Sequence, residues 1–287
     1  MLYMRKMIMP DIKLIAVDLD GTALNSNGEM SPRTLQVLKG LVSKDIKLVI
    51  ATGRPLYQCK NIVAKLGLTD SDDFTVSLNG SVVTNNATKE ILFCDFLNQQ
   101  LLRDIYLDVI KLDLETLIMF DADQSSFNKI LLHCKGFEDK ITKSYLASFA
   151  AVKDEVTACL YSADFNINVN KIYISSYTPD INRFVTKWQG KIEISQEIRA
   201  DRSSLEITSC NVNKATGIAK ICVKYQLTRK NVLAFGNEHN DVAMLKWAGI
   251  GVAMGNAPDD VKTIADLVTD DNDHDGIANV IEQIFLS

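Results

Sequence analysis

At both ends of the chain, short β-branched runs alternate with amphipathic helical segments, and this pattern limits the fold more than any other feature. Near the start it reads LIAV (14–17), a helix over 31–44, LVIA (48–51), a helix over 56–66, then TVSL (75–78). Late in the chain the same order returns: a helix over 214–226, VLAF (232–235), a short helix over 240–247, GVAM (251–254), then helices over 258–265 and 277–285. Strands that alternate with helices imply parallel pairing through crossover connections. The first helix carries its own start signal, with Ser31 as N-cap and Pro32 in the first helical position. Leu35, Leu38, Leu41 and Val42 give it one apolar face, and Gly67 is placed to stop the second helix. The two ends read as halves of one sheet.

Between about residues 85 and 203 the pattern changes. This stretch is richer in Asn and Ser and lacks the strand-then-glycine punctuation. It predicts a helix over 98–112, strands over 115–120 and 171–175, a helix over 180–189 and a strand over 191–195, a smaller α+β unit set into the first. Its roughly 120 residues suffice for a domain, and the whole chain of 287 residues accommodates two. There is no repeat, Pro-rich linker or low-complexity tract.

A net charge of -5 argues against nucleic acid as a partner, because phosphate backbones are bound by clustered Lys and Arg. The six cysteines, Cys59, Cys94, Cys134, Cys159, Cys210 and Cys222, form no CxxC pair, so they are expected to be reduced, packed thiols. The opening MLYMRKMIMP is interrupted by Pro10 and Asp11 before it reaches signal-peptide or membrane-span length, which points to a cytoplasmic protein with no membrane partner. Met4, Met7 and Met9 leave a later natural start open.

Four polar groups follow four of these strands. Asp18 and Asp20, in AVDLDGT (16–22), come directly after the first. Two carboxylates held close together must share a proton or coordinate a cation, and hard oxygen ligands suit Mg²⁺. Alone, such a pair could equally cap a turn. Thr52, Gly53 and Arg54, in ATGR (51–54), follow the second strand, where a hydroxyl and backbone N–H groups could cradle a phosphoryl oxygen. Lys214 opens a helix in NVNKATG and could neutralise the same phosphate, or simply be a solvated helix start. GNEHND (236–241) supplies Asn237, Asn240 and Asp241 at a further strand end. Ligands of open parallel sheets bind outside the carboxyl ends of the strands, so the recurrence of all four favours a site over four separate caps.

DLDGT, ATGR, SLNGSVV (77–83), Lys214 and GNEHNDVAML with GVAMGNA together resemble the haloacid dehalogenase superfamily, in particular its Cof-type phosphatases. The resemblance implies an α/β protein with a Rossmann-like parallel-sheet core, residues 1–84 and 204–287, and an inserted α+β cap of type 2, residues 85–203. It implies an enzyme, a Mg²⁺-dependent phosphomonoesterase for small phosphorylated metabolites of the sugar-phosphate class. Asp18 would form an aspartyl-phosphate, and Asp20 would protonate the leaving oxygen and then activate water. Thr52 and Lys214 would grip the phosphoryl group and Asn240 would help hold it, with Mg²⁺ between Asp18, the Asp20 carbonyl and position 237. The family has Asp where this chain has Asn237, and glycine is common where it has Glu238. A charged ligand is therefore missing, Asp241 could restore the charge, and weaker Mg²⁺ binding is expected. Two alternatives stand beside this reading, a phosphosugar mutase and a phosphometabolite-binding regulator with catalysis weakened at Asn237.

Other motifs carry less. DNDHDGIANVIE (271–282) matches a calcium-loop template, but Ile277, Val280, Ile281 and Ile284 recur at helical spacing and start a helix inside it. The expectation is an acidic turn capping the last helix. Acidic DLDGT replaces the GxGxxG a dinucleotide needs. His133, His239 and His274 lack metal-ligand spacing, and His239 is assigned to the surface. Tyr145, Phe149, Tyr161, Phe165, Tyr173 and Trp188 are assigned to the insert's own core.

Overall fold

The computed structural model describes residues 11–285 except 43, 45, 124–125, 135–156, 161–167 and 200. In the first sheet, β1 (Leu14–Val17), β2 (Lys47–Ala51) and β3 (Phe74–Ser77) are followed by a hairpin of β4 (Val82–Asn85) and β5 (Ile91–Cys94). The second sheet takes β6 (Thr116–Asp123), β7 (Ser126–Cys134), β8 (Thr157–Leu160), β9 (Lys171–Tyr177), β10 (Ile192–Arg199) and β11 (Arg202–Ser209). The chain then returns to the first sheet with β12 (Val232–Gly236), β13 (Ile250–Ala253) and β14 (Leu267–Val268).

The core sheet runs β14-β13-β12-β1-β2-β3-β4-β5. Its first six strands are parallel and only the β4–β5 edge is antiparallel. A parallel sheet is covered on both faces, so its strands read as continuous apolar runs. Ile15, Val17, Leu48 and Ile50 pack on one side with α1 (Pro32–Val42), α2 (Leu56–Lys65) and α8 (Gly276–Phe285). Leu14, Ala16, Val49 and Ala51 pack on the other with α5 (Lys214–Lys224), α6 (Val242–Trp247) and α7 (Asp259–Ile264). The Ser31 hydroxyl accepts from the Thr34 N–H at 3.0 Å, which makes it the N-cap of α1.

The cap sheet, ordered β10-β11-β9-β6-β7-β8, is antiparallel except for the β7–β8 pair. Ile172, Ile174, Leu205 and Ile207 lie against α3 (Gln99–Lys111) and α4 (Thr178–Trp188). The alternate residues Lys171, Tyr173, Ser175, Ser204 and Glu206 face a cavity over the core, as the strand period of two requires.

Both domain boundaries move relative to the sequence reading. β5 belongs to the core sheet although it follows residue 84, and β11 belongs to the cap sheet although it straddles residue 203. The two passages between core and cap are tied together. The Leu97 N–H donates to the Val169 carbonyl at 2.7 Å, Ser81 donates to the Asn170 carbonyl at 3.0 Å, and Ser209 donates to the Phe96 carbonyl at 3.2 Å. Among the described residues no helix is long and apolar enough to cross a membrane. Cys59, Cys94, Cys210 and Cys222 are free thiols.

Candidate active site

The carboxyl ends of β1, β2 and β12 converge beneath the cap, and the groups that follow those strands line one cavity of about 820 Å³. Asp18 follows β1 directly and is 5% exposed. Lys214 reaches it from the first residue of α5, whose start is fixed by a capping box between Asn213 and Thr216. The wholly buried Lys214 ammonium donates to Asp18 Oδ1 at 2.7 Å and to Asp241 Oδ1 at 2.6 Å. Burial alone would lower the Lys214 pKa, but Asp18 and Asp241 outweigh it and raise the value above the ordinary range. One ammonium does not neutralise two carboxylates. Burial, and then the Asp241 charge, push Asp18 up to about 7 against the pull of Lys214.

The close packing that sets Lys214 depends on Gly80, which has a φ of +97°. A Cβ there would lie 2.0 Å from the Asn213 carbonyl oxygen, so only glycine lets the turn after β3 abut the start of α5.

Asp20 is paired with Arg54 through both carboxylate oxygens, one of them accepting from Nε at 2.7 Å. The Arg54 N–H donates to Thr52 Oγ1 at 3.1 Å, and Thr52 is 1% exposed. Asn240 donates from Nδ2 to Asn79 Oδ1 at 3.2 Å, and Asn79 donates to Glu206 Oε2 of the cap at 2.6 Å. Asp18, Asp20, Thr52, Gly53, Arg54, Asn237 and Asn240 all line the cavity, with Lys214 and Asp241 behind Asp18.

Asp241 differs from its expected place as a ligand that restores charge to a cation. It is fully buried; Oδ1 accepts from Lys214, and Oδ2 accepts from the N–H groups of Asn237 at 2.9 Å and Glu238 at 3.0 Å. Its charge is committed to the lysine and the loop. Asn237, 5% exposed, accepts from the Thr22 hydroxyl through Oδ1 at 2.9 Å. That leaves one lone pair on its amide oxygen.

Asp18 Oδ2 accepts no hydrogen bond among the described residues. The Asp18 carboxylate and the Asn237 amide place hard oxygen donors on one cavity, the donor type that suits Mg²⁺. The under-compensated Asp18 charge favours a cation as well. Among the described residues no three His, Cys, Asp or Glu side chains converge as a metal cluster, in keeping with an amide at position 237.

Lys171, Glu206 and Asn79 reach this site without having been singled out from the sequence. Lys171 and Glu206 sit on strands of ordinary alternation, and only the turn at Asn79, left-handed with φ of 56°, lies in a segment flagged as a motif. Tyr173 lines the cavity, a correction to its place in the insert's core, whereas Trp188 is in that core. Tyr145, Phe149, Tyr161, Phe165 and the first ten residues lie outside the described residues, as do the side chains of His133, Cys134 and Cys159. His239 pairs with Asp260 at 2.9 Å and is half exposed. In the calcium-like loop, Asp273 accepts from the Ser26 N–H at 2.8 Å, Glu282 pairs with Arg33 at 2.6 Å, and Gly276 begins α8.

The sequence profile of the haloacid dehalogenase-like hydrolases matches residues 15–281. A Bacillus subtilis protein named 5-amino-6-(5-phospho-D-ribitylamino)uracil phosphatase is 30% identical over 94% of this chain and 95% of its own length. A haloacid dehalogenase-like hydrolase from Bacteroides thetaiotaomicron superposes with a TM-score of 0.75 and 30% identity, over 96% of this chain and all of that one. A subclass IIB sugar phosphatase of the same superfamily, 23% identical, shares the fold with a TM-score of 0.80 over 96% of this chain and 100% of its own.

Proposed function

The chain belongs to the haloacid dehalogenase-like hydrolase family, and from that premise we propose that it is a Mg²⁺-dependent phosphomonoesterase acting through an aspartyl-phosphate on Asp18. Its substrates in this reading are small phosphorylated metabolites of the sugar-phosphate class. The names of the relatives, a phosphoribitylaminouracil phosphatase and a sugar phosphatase, support that class, and the cysteine usage supports a cytoplasmic setting. The observation that carries the reading is the buried Lys214 ammonium shared by Asp18 and Asp241 on the floor of the cavity.

Lys214 holds Oδ1 of Asp18 and leaves Oδ2 facing the substrate, so Oδ2 attacks phosphorus while the ester oxygen departs. Asp20, on the cavity side of the same turn, gives that oxygen a proton and in the second step takes one from the attacking water. Water then displaces Asp18 from phosphorus and inorganic phosphate leaves. Thr52, the loop at Gly53 and Asn240 bind the non-bridging oxygens. Arg54, which neutralises Asp20 in this structure, must release that carboxylate before Asp20 can act as an acid, and is then free to meet an anionic substrate. Asp18, the Asp20 carbonyl and Asn237 would hold Mg²⁺, which would supply the positive charge that lets an anion approach an anion.

Phosphate release from a panel of phosphometabolites, with and without Mg²⁺, tests the reading. Release that requires Mg²⁺ and disappears in Asp18→Asn is expected. A product mixture of isomeric phosphates without free phosphate would instead identify a mutase. No turnover of any substrate would favour the binding regulator that Asn237 alone makes worth naming.

A further inference from the structure

Two charged side chains of the cap enter the phosphoryl site from above. Lys171 begins β9 with its side chain 3% exposed, its ammonium 5.4 Å from the centre of the Phe120 ring. It pairs with Glu206 of the neighbouring β11 and donates to the Gly53 carbonyl of the core at 2.8 Å. Glu206 in turn accepts from Asn79 of the core at 2.6 Å. Glu206 lies so close to the ATGR loop that a Cβ on Gly53 would meet its Oε2 at 2.9 Å. Lys171 is buried and Glu206 half-buried, and an ion pair taken out of water is usually no more stabilising than apolar residues of the same volume, so packing alone does not account for one here.

The contacts fix polarity on the core side. The Gly53 carbonyl and the Arg54 N–H belong to one planar peptide, so an ammonium on the carbonyl also sets where that N–H points. It points at Thr52 Oγ1, which therefore accepts and keeps its own hydroxyl proton to donate into the cavity. On the second branch, Glu206 can only accept while ionised. It draws Asn79 Nδ2 toward itself and turns Asn79 Oδ1 toward Asn240, which donates to it. The Lys171 ammonium and the Asn79 amide outweigh burial and hold the Glu206 carboxyl below its usual range.

We propose that Lys171 and Glu206 are positioning residues. Seated with the cap, they orient the Gly53–Arg54 peptide and the Asn79 amide, and through these Thr52 and Asn240, two of the side chains that hold the phosphoryl group. The inference rests on the phosphatase reading for its catalytic consequence, but the orientation itself is independent of it.

The test compares full-length wild type with Lys171→Met, Lys171→Arg and the charge-neutral double variant Lys171→Met/Glu206→Gln, which leaves no unpaired carboxylate. Turnover of p-nitrophenyl phosphate with Mg²⁺ is read alongside amide hydrogen exchange. In Lys171→Met and the double variant, kcat should fall by roughly 10²-fold, the cost of a misplacement near 1 Å. KM should change far less, melting temperatures should hold in the double variant, and Lys171→Arg should recover most of kcat. Exchange should quicken at 52–55 and 78–81 while α3 and α4 keep wild-type protection. Unchanged kcat in the double variant, or unchanged exchange in both segments, overturns the proposal. A wild type that releases no phosphate from any substrate refutes the phosphatase reading instead, and the exchange data then decide the orienting role alone.

Discussion

Asp18 is held against its own charge. Its folded pKa of about 7 stands above that of an unfolded aspartate. Between about pH 4 and pH 7 the folded protein therefore keeps a proton that the unfolded chain has shed. Stability from this group falls as pH rises through that window and stays reduced above it. In the presence of chelator, Asp18→Asn should melt higher than wild type at pH 8, by about 2–4 °C for each kcal/mol recovered, and the difference should vanish toward pH 4. Equal melting curves at pH 8 would mean that Lys214 already satisfies the carboxylate. Asn237→Asp, read by calorimetry, should tighten Mg²⁺ binding by about tenfold or more, the scale on which site residues tune metal affinity. An unchanged affinity would remove the metal from that position. Asp18, Asn237 and Lys214 were legible because each stands directly beside a strand end or helix start. Lys171 and Glu206 were not, since their core partners lie 118 and 127 residues away and their own strands alternate like any half-covered strand.

Five of the six parallel core strands and their helices were readable to within a few residues, because a strand buried on both faces is a continuous apolar run bounded by turns. β4, β5, β7, β8, β11 and the two-residue β14 went unread. β11, as RSSLEITS, alternates polar and apolar residues in a stretch rich in Ser, and β4 spends two of its four buried positions on Thr84 and Asn85. Both boundaries of the insert were placed inside or ahead of these missed strands. The turn between β3 and β4 shows what such an element does for the site. Gly80 allows it to touch the cap of α5, and Gly80→Ala should force that helix start, and Lys214 with it, away from Asp18. A loss of roughly 1–3 kcal/mol is expected from the left-handed backbone and the overpacking together, measured by urea denaturation, with kcat falling further than stability accounts for. Full activity in Gly80→Ala would show that the contact is dispensable.

Among the described residues the molecule holds two apolar interiors that share no residue, one pair of layers around the core sheet and one beneath the cap sheet. Each contains one of the two tryptophans, Trp188 in the cap and Trp247 beside the core. Trp247→Phe and Trp188→Phe proteins should consequently report separate urea midpoints, as chains with two cores commonly do, and vanadate should bring them together by bridging both halves. Coincident midpoints without vanadate would make the core and cap one cooperative unit. The place of β1 between β2 and β12 has a further consequence. On the ribosome, where the N-terminal part emerges first, β1 waits for its second neighbour through the synthesis of roughly 200 residues. The cap sheet, whose strands all lie between Thr116 and Ser209, can close in the meantime. The nascent chain thus carries a finished lid above a sheet that still has an open apolar edge, the kind of intermediate on which holding chaperones act, and the last quarter of the chain decides whether the enzyme assembles or aggregates.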